Sequence, residues 1–214
     1  MKGKFITLEG IEGSGKSTQI ALLANYLKSL GLPLVLTREP GGTPIGDEIR
    51  KILLDPANTT LDPRAELLLY AASRAQHLKE IIMPHLEKGV VLCDRFADAT
   101  LAYQGYGRGL DIDLIRRLDA IVCAGLRPDL TILLDIDAAT GVERARGRNN
   151  SRGLDREARF ENEAIAFHER VRQGYLTLAR AEPDRIRIVE ASRPMDAIQA
   201  EIRKIVAKEL RIQE

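Results

Sequence analysis

The sequence predicts an α/β fold in which a five-stranded parallel sheet is flanked by helices. Short apolar runs alternate with longer amphipathic stretches along the 214 residues. Each run is short and mainly apolar, as in strands that are covered on both faces. Repeated strand–helix units favour a parallel, doubly wound sheet. The five predicted strands span residues 5–8, 34–37, 90–93, 130–134 and 186–189.

The intervals between these strands have the apolar periodicity of helices. The predicted helices cover residues 17–30, 44–54, 63–87, 111–125, 138–147, 160–181 and 194–211. No linker, repeat or low-complexity tract interrupts the pattern, so we expect one domain over residues 1–214. In such sheets ligands bind beyond the carboxyl ends of the strands.

Composition and charge narrow the class of protein. Charged residues make up 29% of the chain and the net charge is +1, which predicts neither a nucleic-acid nor a membrane partner. No apolar run approaches the roughly 18 residues of a membrane span. Cys93 and Cys123 are far apart, which indicates buried thiols in a reducing compartment. We expect no signal peptide and a cytoplasmic protein.

The segment Gly10-Ile11-Glu12-Gly13-Ser14-Gly15-Lys16-Ser17-Thr18 matches G-x-x-x-x-G-K-[ST] between a predicted strand and helix. In this loop backbone N–H groups surround the phosphates of a nucleoside triphosphate. Lys16 would bind the outer phosphates, and the Ser17 hydroxyl would bind Mg²⁺. The alternative is a glycine-rich turn without a ligand.

Acidic and basic residues follow several strands. Asp94 and Asp135 each end an apolar run, and spacing alone does not decide which lies near Mg²⁺. Arg95 favours Asp94, because a guanidinium there can hold a phosphate with two hydrogen bonds. Arg38 follows the second strand and either enters the cleft or pairs with Glu39 in an ordinary loop.

Four segments together resemble bacterial thymidylate kinases. They are the loop at residues 10–18, Thr-Arg-Glu-Pro-Gly-Gly-Thr at 37–43, Asp94-Arg95, and Ala-Tyr-Gln-Gly-Tyr-Gly-Arg-Gly at 102–109. The resemblance implies a three-layer P-loop nucleoside monophosphate kinase fold. It also implies transfer of the γ-phosphoryl group of ATP to dTMP, giving dTDP and ADP for dTTP biosynthesis. Mg²⁺ and a homodimer are implied too.

Three rival functions stay open at this point. A kinase for UMP, CMP or AMP would share the phosphate chemistry and differ in the base pocket. A signalling GTPase would carry Asn-Lys-x-Asp, and the sequence contains no Asn-Lys pair. A binding module or nucleic-acid motor would keep the phosphate loop without a second phosphate site.

The resemblance assigns residues to the dTMP site. Arg95 would grip the phosphate, Tyr70 would stack on thymine and Arg74 would hydrogen-bond the base. Tyr103 would crowd the 2′ carbon of the sugar. From the residues alone, Tyr70 is a core side chain and Arg50 a solvated helix charge. The implied dTMP-binding set is Arg38, Glu39, Arg50, Tyr70, Arg74, Arg95, Thr100, Tyr103 and Gln104.

The resemblance also places an arginine either inside the phosphate loop or in a mobile lid. The loop interior, Ile11 to Ser14, contains no cation, so the arginine-rich segment 144–159 is the expected lid. Arg159 is favoured as the catalytic arginine, with Arg156, Arg152 and Arg148 as rivals. An RNA-contacting patch is disfavoured, because no aromatic residue interleaves with these arginines before Phe160.

Two further assignments complete the site. Arg144 would lie against the adenine of ATP. Glu12 in an anion-binding loop must face a cation, either an arginine or metal-bound water. The expected catalytic set is therefore Glu12, Lys16, Arg95 and Arg159, with Ser17 and Asp94 as the metal ligands.

Overall fold

The computed structural model describes residues 3–152 and 159–212, with side chains described except at 148–152. Its sheet has five parallel strands, which lie side by side in the order 34–38, 90–94, 4–9, 130–135 and 186–190. This confirms the predicted sheet, and every strand agrees within one residue at each end. The strands are β1 (Lys4–Glu9), β2 (Leu34–Arg38), β3 (Val90–Asp94), β4 (Leu130–Asp135) and β5 (Ile186–Glu190).

Helices fill the connections between the strands. The side chains of Thr43, Asp62 and Asp111 accept hydrogen bonds from backbone N–H groups at the start of the helices that begin at residues 44, 63 and 112. The α-helices are α1 (Lys16–Ser29), α2 (Pro44–Leu54), α3 (Pro63–His77), α4 (Met83–Leu86), α5 (Ala97–Thr100), α6 (Ile112–Cys123), α7 (Ala138–Arg152), α8 (Ile165–Ala181) and α9 (Met195–Leu210). Two π-helical segments, π1 (Leu78–Ile82) and π2 (Leu101–Gly107), continue α3 into α4 and extend α5.

The segment α5–π2 is a helix that the sequence does not predict. Gly105 and Gly107 lie within this helix, although glycine generally disfavours a helix interior. In the fold they allow close packing. A Cβ at Gly105 would lie 2.4 Å from Ile112 Cδ1, and one at Gly107 would lie 2.7 Å from Phe167 Cε2. The helix predicted from residue 160 is also corrected, because α8 begins at Ile165.

Side chains of the strands alternate between two packed layers. Ile6 and Leu8 belong to one core cluster with Leu23 of α1. Phe5 belongs to a second cluster with Val91 and Ile82. The sheet is therefore the middle of three layers, and the loops that follow β1, β2 and β3 at its carboxyl edge contribute to the candidate site.

None of the described helices combines the length and apolarity needed to cross a membrane.

Candidate active site

The phosphate loop turns sharply between β1 and α1. Gly10, Gly13 and Gly15 have φ values of 141°, 70° and 90°, which L side chains rarely adopt. A Cβ at Gly13 would lie 1.9 Å from the carbonyl oxygen of Gly141 on α7. Residue 13 therefore requires glycine for two independent reasons, its backbone conformation and its contact with α7.

Lys16, the first residue of α1, is buried and folds back over the loop. Its Nζ donates to Gly10 O at 2.9 Å, to Ile11 O at 2.8 Å and to Ser14 Oγ at 3.3 Å. Burial, together with the neighbouring Arg95 guanidinium, lowers the pKa of Lys16 to about 8. A triphosphate in the loop would restore the preference for the charged ammonium.

Two hard oxygen donors suited to Mg²⁺ lie at the mouth of the loop. Ser17 Oγ donates to Asp94 Oδ2 at 3.2 Å. Among the described residues, no three His, Cys, Asp or Glu side chains cluster as a metal cage. Mg²⁺ typically takes one or two protein ligands and completes its shell with phosphates and water. The Ser17–Asp94 pair fits such a site.

Asp135, the alternative acid, is already paired. Arg172 Nε donates to its Oδ1 at 2.7 Å, and Arg172 Nη2 donates to its Oδ2 at 3.0 Å. Both carboxylate oxygens are thus held by one guanidinium. This arrangement favours Asp94 for the metal role.

Glu12 faces the guanidinium of Arg95. The sequence left open whether its partner would be an arginine or metal-bound water. Arg95 Nη2 donates to Glu12 Oε1 at 2.8 Å, and the Tyr103 hydroxyl lies 2.7 and 2.8 Å from the two carboxylate oxygens. Burial raises the pKa of Glu12, but Arg95, His168 and Lys16 outweigh burial and hold it well below its usual range. Glu12 is therefore an ionised carboxylate.

Arg95 has an unusual backbone conformation. Its φ of 69° lies in the left-handed region, which costs a non-glycine residue about 1–2 kcal/mol. The turn is held by its own hydrogen bonds, from Arg95 N to Leu8 O at 3.0 Å and from Phe96 N to Glu9 Oε1 at 2.7 Å. The strain places the guanidinium over the Tyr103 ring, 4.6 Å from its centroid.

Arg74 is 2% exposed and largely committed to protein partners. Its Nε donates to Glu39 Oε2 and its Nη1 to Asp119 Oδ1, both at 2.8 Å. Its Nη2 donates to Thr100 Oγ1 at 2.7 Å and to Phe96 O at 3.2 Å. Four of its five N–H groups are bonded to described residues, which leaves one on Nη1 for a ligand. Glu39 thus orients Arg74, and Thr100 accepts from it.

A cavity of about 400 Å³ brings most of the predicted residues together. Arg38 lines it with an exposed ion pair to Asp47, and such a pair contributes little stability. Burial raises the pKa of Tyr70, so its phenol stays protonated. The predicted site residues that line the cavity are Glu12, Gly13, Gly15, Lys16, Ser17, Thr18, Arg38, Glu39, Arg50, Tyr70, Arg74, Asp94, Arg95, Thr100, Tyr103 and Gln104.

The remaining predicted residues lie outside this lining. Gly10, Ile11 and Ser14 belong to the loop but do not line the cavity. The carbonyl oxygens of Gly10 and Ile11, together with Ser14 Oγ, accept hydrogen bonds from Lys16 Nζ. Arg144 is exposed on α7, and its Nη1 donates to Ala191 O at 3.1 Å.

Arg159 is buried and does not line the cavity. Its Nη2 donates to Glu66 Oε2 and its Nε to Leu53 O, and its guanidinium lies 4.6 Å from the Phe160 ring centroid. A catalytic role would require it to exchange Glu66 for a phosphate, so that role stays a prediction. The rival Arg156 and the side chains of Arg148 and Arg152 lie outside the described residues.

We expect Arg159→Ala to lower the midpoint of thermal unfolding by several degrees. Glu66 is 1% exposed, and Arg108 and Gln104 would be its remaining described partners. A weakened buried ion pair costs about 1–3 kcal/mol here, less than full loss of a partner. The matched control is Arg146→Ala, which removes an exposed lid arginine bonded to Glu161 O. Unchanged stability with turnover lowered about 10³-fold would instead favour Arg159 as the catalytic arginine.

Two buried ionisable residues beside the loop, Glu9 and His168, are absent from the site predicted from the sequence. Glu9 accepts from Phe96 N and from the Tyr175 hydroxyl, and burial raises its pKa to about 8. The signal available in the sequence for Glu9 was an acidic residue at the end of the apolar run of β1. His168 lies within reach of Glu12. Its signal was its position in the inward-facing series 168, 171 and 175 of α8.

Comparison with known proteins agrees with this geometry. The family model described as Thymidylate kinase matches residues 8–202. The thymidylate kinase of Trichlorobacter lovleyi is 61% identical over 189 residues, covering 88% of this chain and 89% of its own. That of Syntrophotalea carbinolica is 57% identical over 195 residues, covering 91% and 90%.

A solved structure extends the comparison to three dimensions. The crystal structure of thymidylate kinase from Ehrlichia chaffeensis has a TM-score of 0.76 and 36% identity to this chain. The alignment covers 96% of this chain and 99% of that one. The match therefore includes the whole three-layer P-loop nucleoside monophosphate kinase fold as well as the local motifs. This chain belongs to the thymidylate kinase family.

Proposed function

We propose that this protein transfers the γ-phosphoryl group of ATP to dTMP, giving dTDP and ADP, with Mg²⁺ as the metal. One observation carries the proposal: a single cavity joins the triphosphate loop to a second cationic end. Lys16, Ser17 and Asp94 form the donor end. Arg95, Arg38 and the Tyr70 ring line the acceptor end.

The chemistry explains why cations dominate the cavity. The acceptor attacks through its own phosphate oxygen, which is largely ionised near neutral pH since its second pKa is about 6. No general base is therefore needed. Bringing the two nucleotides together gathers about six negative charges, which Lys16, Arg95 and Arg38 would offset. Bound Mg²⁺ would neutralise charge between the donor phosphates.

The acceptor end also offers a means of choosing the nucleoside. We assign Tyr70 to stacking on thymine and the remaining Arg74 N–H to hydrogen bonding with the base. Tyr103 is a rigid wall, because Glu12 fixes its hydroxyl while Phe160 and Tyr175 pack edge-on against its ring. We infer that this wall disfavours a 2′-hydroxyl, and that Thr100 and Gln104 complete the pocket.

A coupled assay of ADP release with a panel of monophosphates tests the reaction class and the base choice together. Purified protein with Mg²⁺ and ATP should turn over dTMP far faster than UMP, CMP or AMP. Comparable rates with all four would contradict the assigned base pocket. Absence of turnover with all four would refute the proposed reaction.

We also propose a single-domain, cytoplasmic homodimer. The two cysteines are buried and unpaired, as expected in a reducing compartment. Helices α3 and α6 pack against one another and leave Leu68 58% and Ile121 79% exposed. Large apolar side chains exposed on adjoining helices support an interface with a second copy. Asp119 of α6 also holds Arg74, so this helix pair adjoins the base pocket.

Ile121→Asp should convert the dimer to a monomer, because burying an unpaired carboxylate in an apolar interface is strongly unfavourable. Light scattering coupled to size-exclusion chromatography would measure the mass. Met195→Asp is the control: this residue is 51% exposed at the start of α9, where a carboxylate suits the helix dipole. A dimer that persists in the Ile121 variant places the interface elsewhere.

A further inference from the structure

The side chain of His168 on α8 is fully buried. Neither ring nitrogen has a hydrogen-bond partner among the described residues. Leaving a buried polar group unpaired costs about 1–3 kcal/mol, so exceptions in folded proteins need a reason. Packing alone provides none, because an apolar residue would fill the same space without that cost.

The imidazole lies against the site. Nδ1 is 3.2 Å from Glu12 Oε2, close enough for attraction but without hydrogen-bond geometry. The two carboxylate oxygens are unequally supplied with donors. Among the described residues, Oε1 accepts from both Arg95 and Tyr103, whereas Oε2 accepts from Tyr103 alone. His168 therefore adjoins the oxygen that has room for another donor.

We propose that His168 is a positioning residue that holds Glu12 when Arg95 turns toward the acceptor phosphate. This inference rests on the proposed function. Arg95 supplies the nearest cation to Glu12, so its departure would leave a buried carboxylate poorly compensated. A small rotation of Glu12 brings Oε2 into line with Nδ1–H. Glu12 then stays in place, and Tyr103 keeps its hydrogen bond.

The test compares His168→Leu with His168→Gln. If His168 only fills space, the Leu variant should keep wild-type kinetics. The proposal expects unchanged or higher thermal stability with Leu, since two unpaired nitrogens disappear. It also expects a rise of about 10- to 100-fold in the KM for dTMP, because Glu12 and its partners lose their alignment. The KM for ATP should change little, and Gln, which can donate to Glu12, should recover most of the loss.

Two controls make the result specific. Gln173→Leu alters an exposed residue of the same helix and should leave the kinetics unchanged. In a Glu12→Ala background, His168→Leu should add no further rise in the KM for dTMP, because residues that act through one another are not additive. Wild-type kinetics in His168→Leu would overturn the proposal. Full additivity of His168→Leu with Glu12→Ala would also overturn it.

The proposed function and this inference fail separately. If wild-type protein phosphorylates no monophosphate in the panel, the proposed reaction fails. Inorganic phosphate then replaces dTMP as the probe of Arg95, measured by titration calorimetry. The affinity for phosphate should fall in His168→Leu and recover in His168→Gln. Equal affinity in these two variants and the wild-type protein would contradict the positioning role.

Discussion

Lys16→Met should lower kcat by about 10²–10³-fold while leaving the protein folded, because it removes a preorganised positive charge from the donor phosphates. The ligand-free fold should tolerate the change. Burial, together with the neighbouring charge of Arg95, lowers the pKa of Lys16 to about 8, so its charge is poorly accommodated before a phosphate arrives. The three oxygens that it holds would lose a donor, which offsets part of the gain in stability.

Coupled ADP release measures turnover, and thermal unfolding with and without Mg·ATP measures binding. The variant should unfold near the wild-type temperature without nucleotide and should lose most of the shift that Mg·ATP produces. Lys28→Met, an exposed lysine of the same helix α1, is the matched control. A variant that keeps both turnover and the nucleotide shift would show that Lys16 does not contact the phosphates.

Arg95→Ala should lower kcat/KM for dTMP by about 10³-fold, because the acceptor phosphate loses a charge-assisted, two-bond contact. Binding should weaken as well as turnover, since this arginine would contact the phosphate before and during transfer. Arg95→Lys should recover only part of the loss, because an ammonium cannot reproduce the planar fork. Titration calorimetry with dTMP separates affinity from turnover.

The backbone of Arg95 provides an internal control. Glycine adopts a φ of 69° without penalty, whereas alanine keeps the strain. The free energy of unfolding of Arg95→Gly should therefore be about 1 kcal/mol higher than that of Arg95→Ala, while both variants should have equally low activity. Equal stability would indicate that the turn relaxes when the side chain is lost. Retained dTMP affinity in both variants would contradict the assignment of Arg95.

Local patterns determined most of the fold in advance. Apolar runs located all five strands, and the phosphate loop located the donor end of the site. The helix at residues 97–107 was not predicted, and sequence shows the absence of a side chain at Gly105 and Gly107 but not the neighbours that require it. In the structure Ile112 and Phe167 occupy that space.

Long-range partners explain what the sequence could not predict about the site. Glu66 lies 93 positions from Arg159, and nothing near residue 159 indicates that a buried acid would bind it. The cation facing Glu12 was equally undecided until the structure placed Arg95, 83 positions away, beside it. Asp94 and Asp135 each end an apolar run, and their partners in the fold differ, because Ser17 donates to Asp94 whereas Arg172 holds Asp135.

The contact between Gly13 and Gly141 joins the triphosphate loop directly to α7, which leads into the arginine-rich segment. A Cβ at Gly141 would lie 2.7 Å from Glu12 O, so backbone meets backbone with no side chain between them. Such a joint contains nothing compressible, and displacement on one side is passed to the other. We therefore expect nucleotide binding in the loop and the position of α7 to be coupled through this contact.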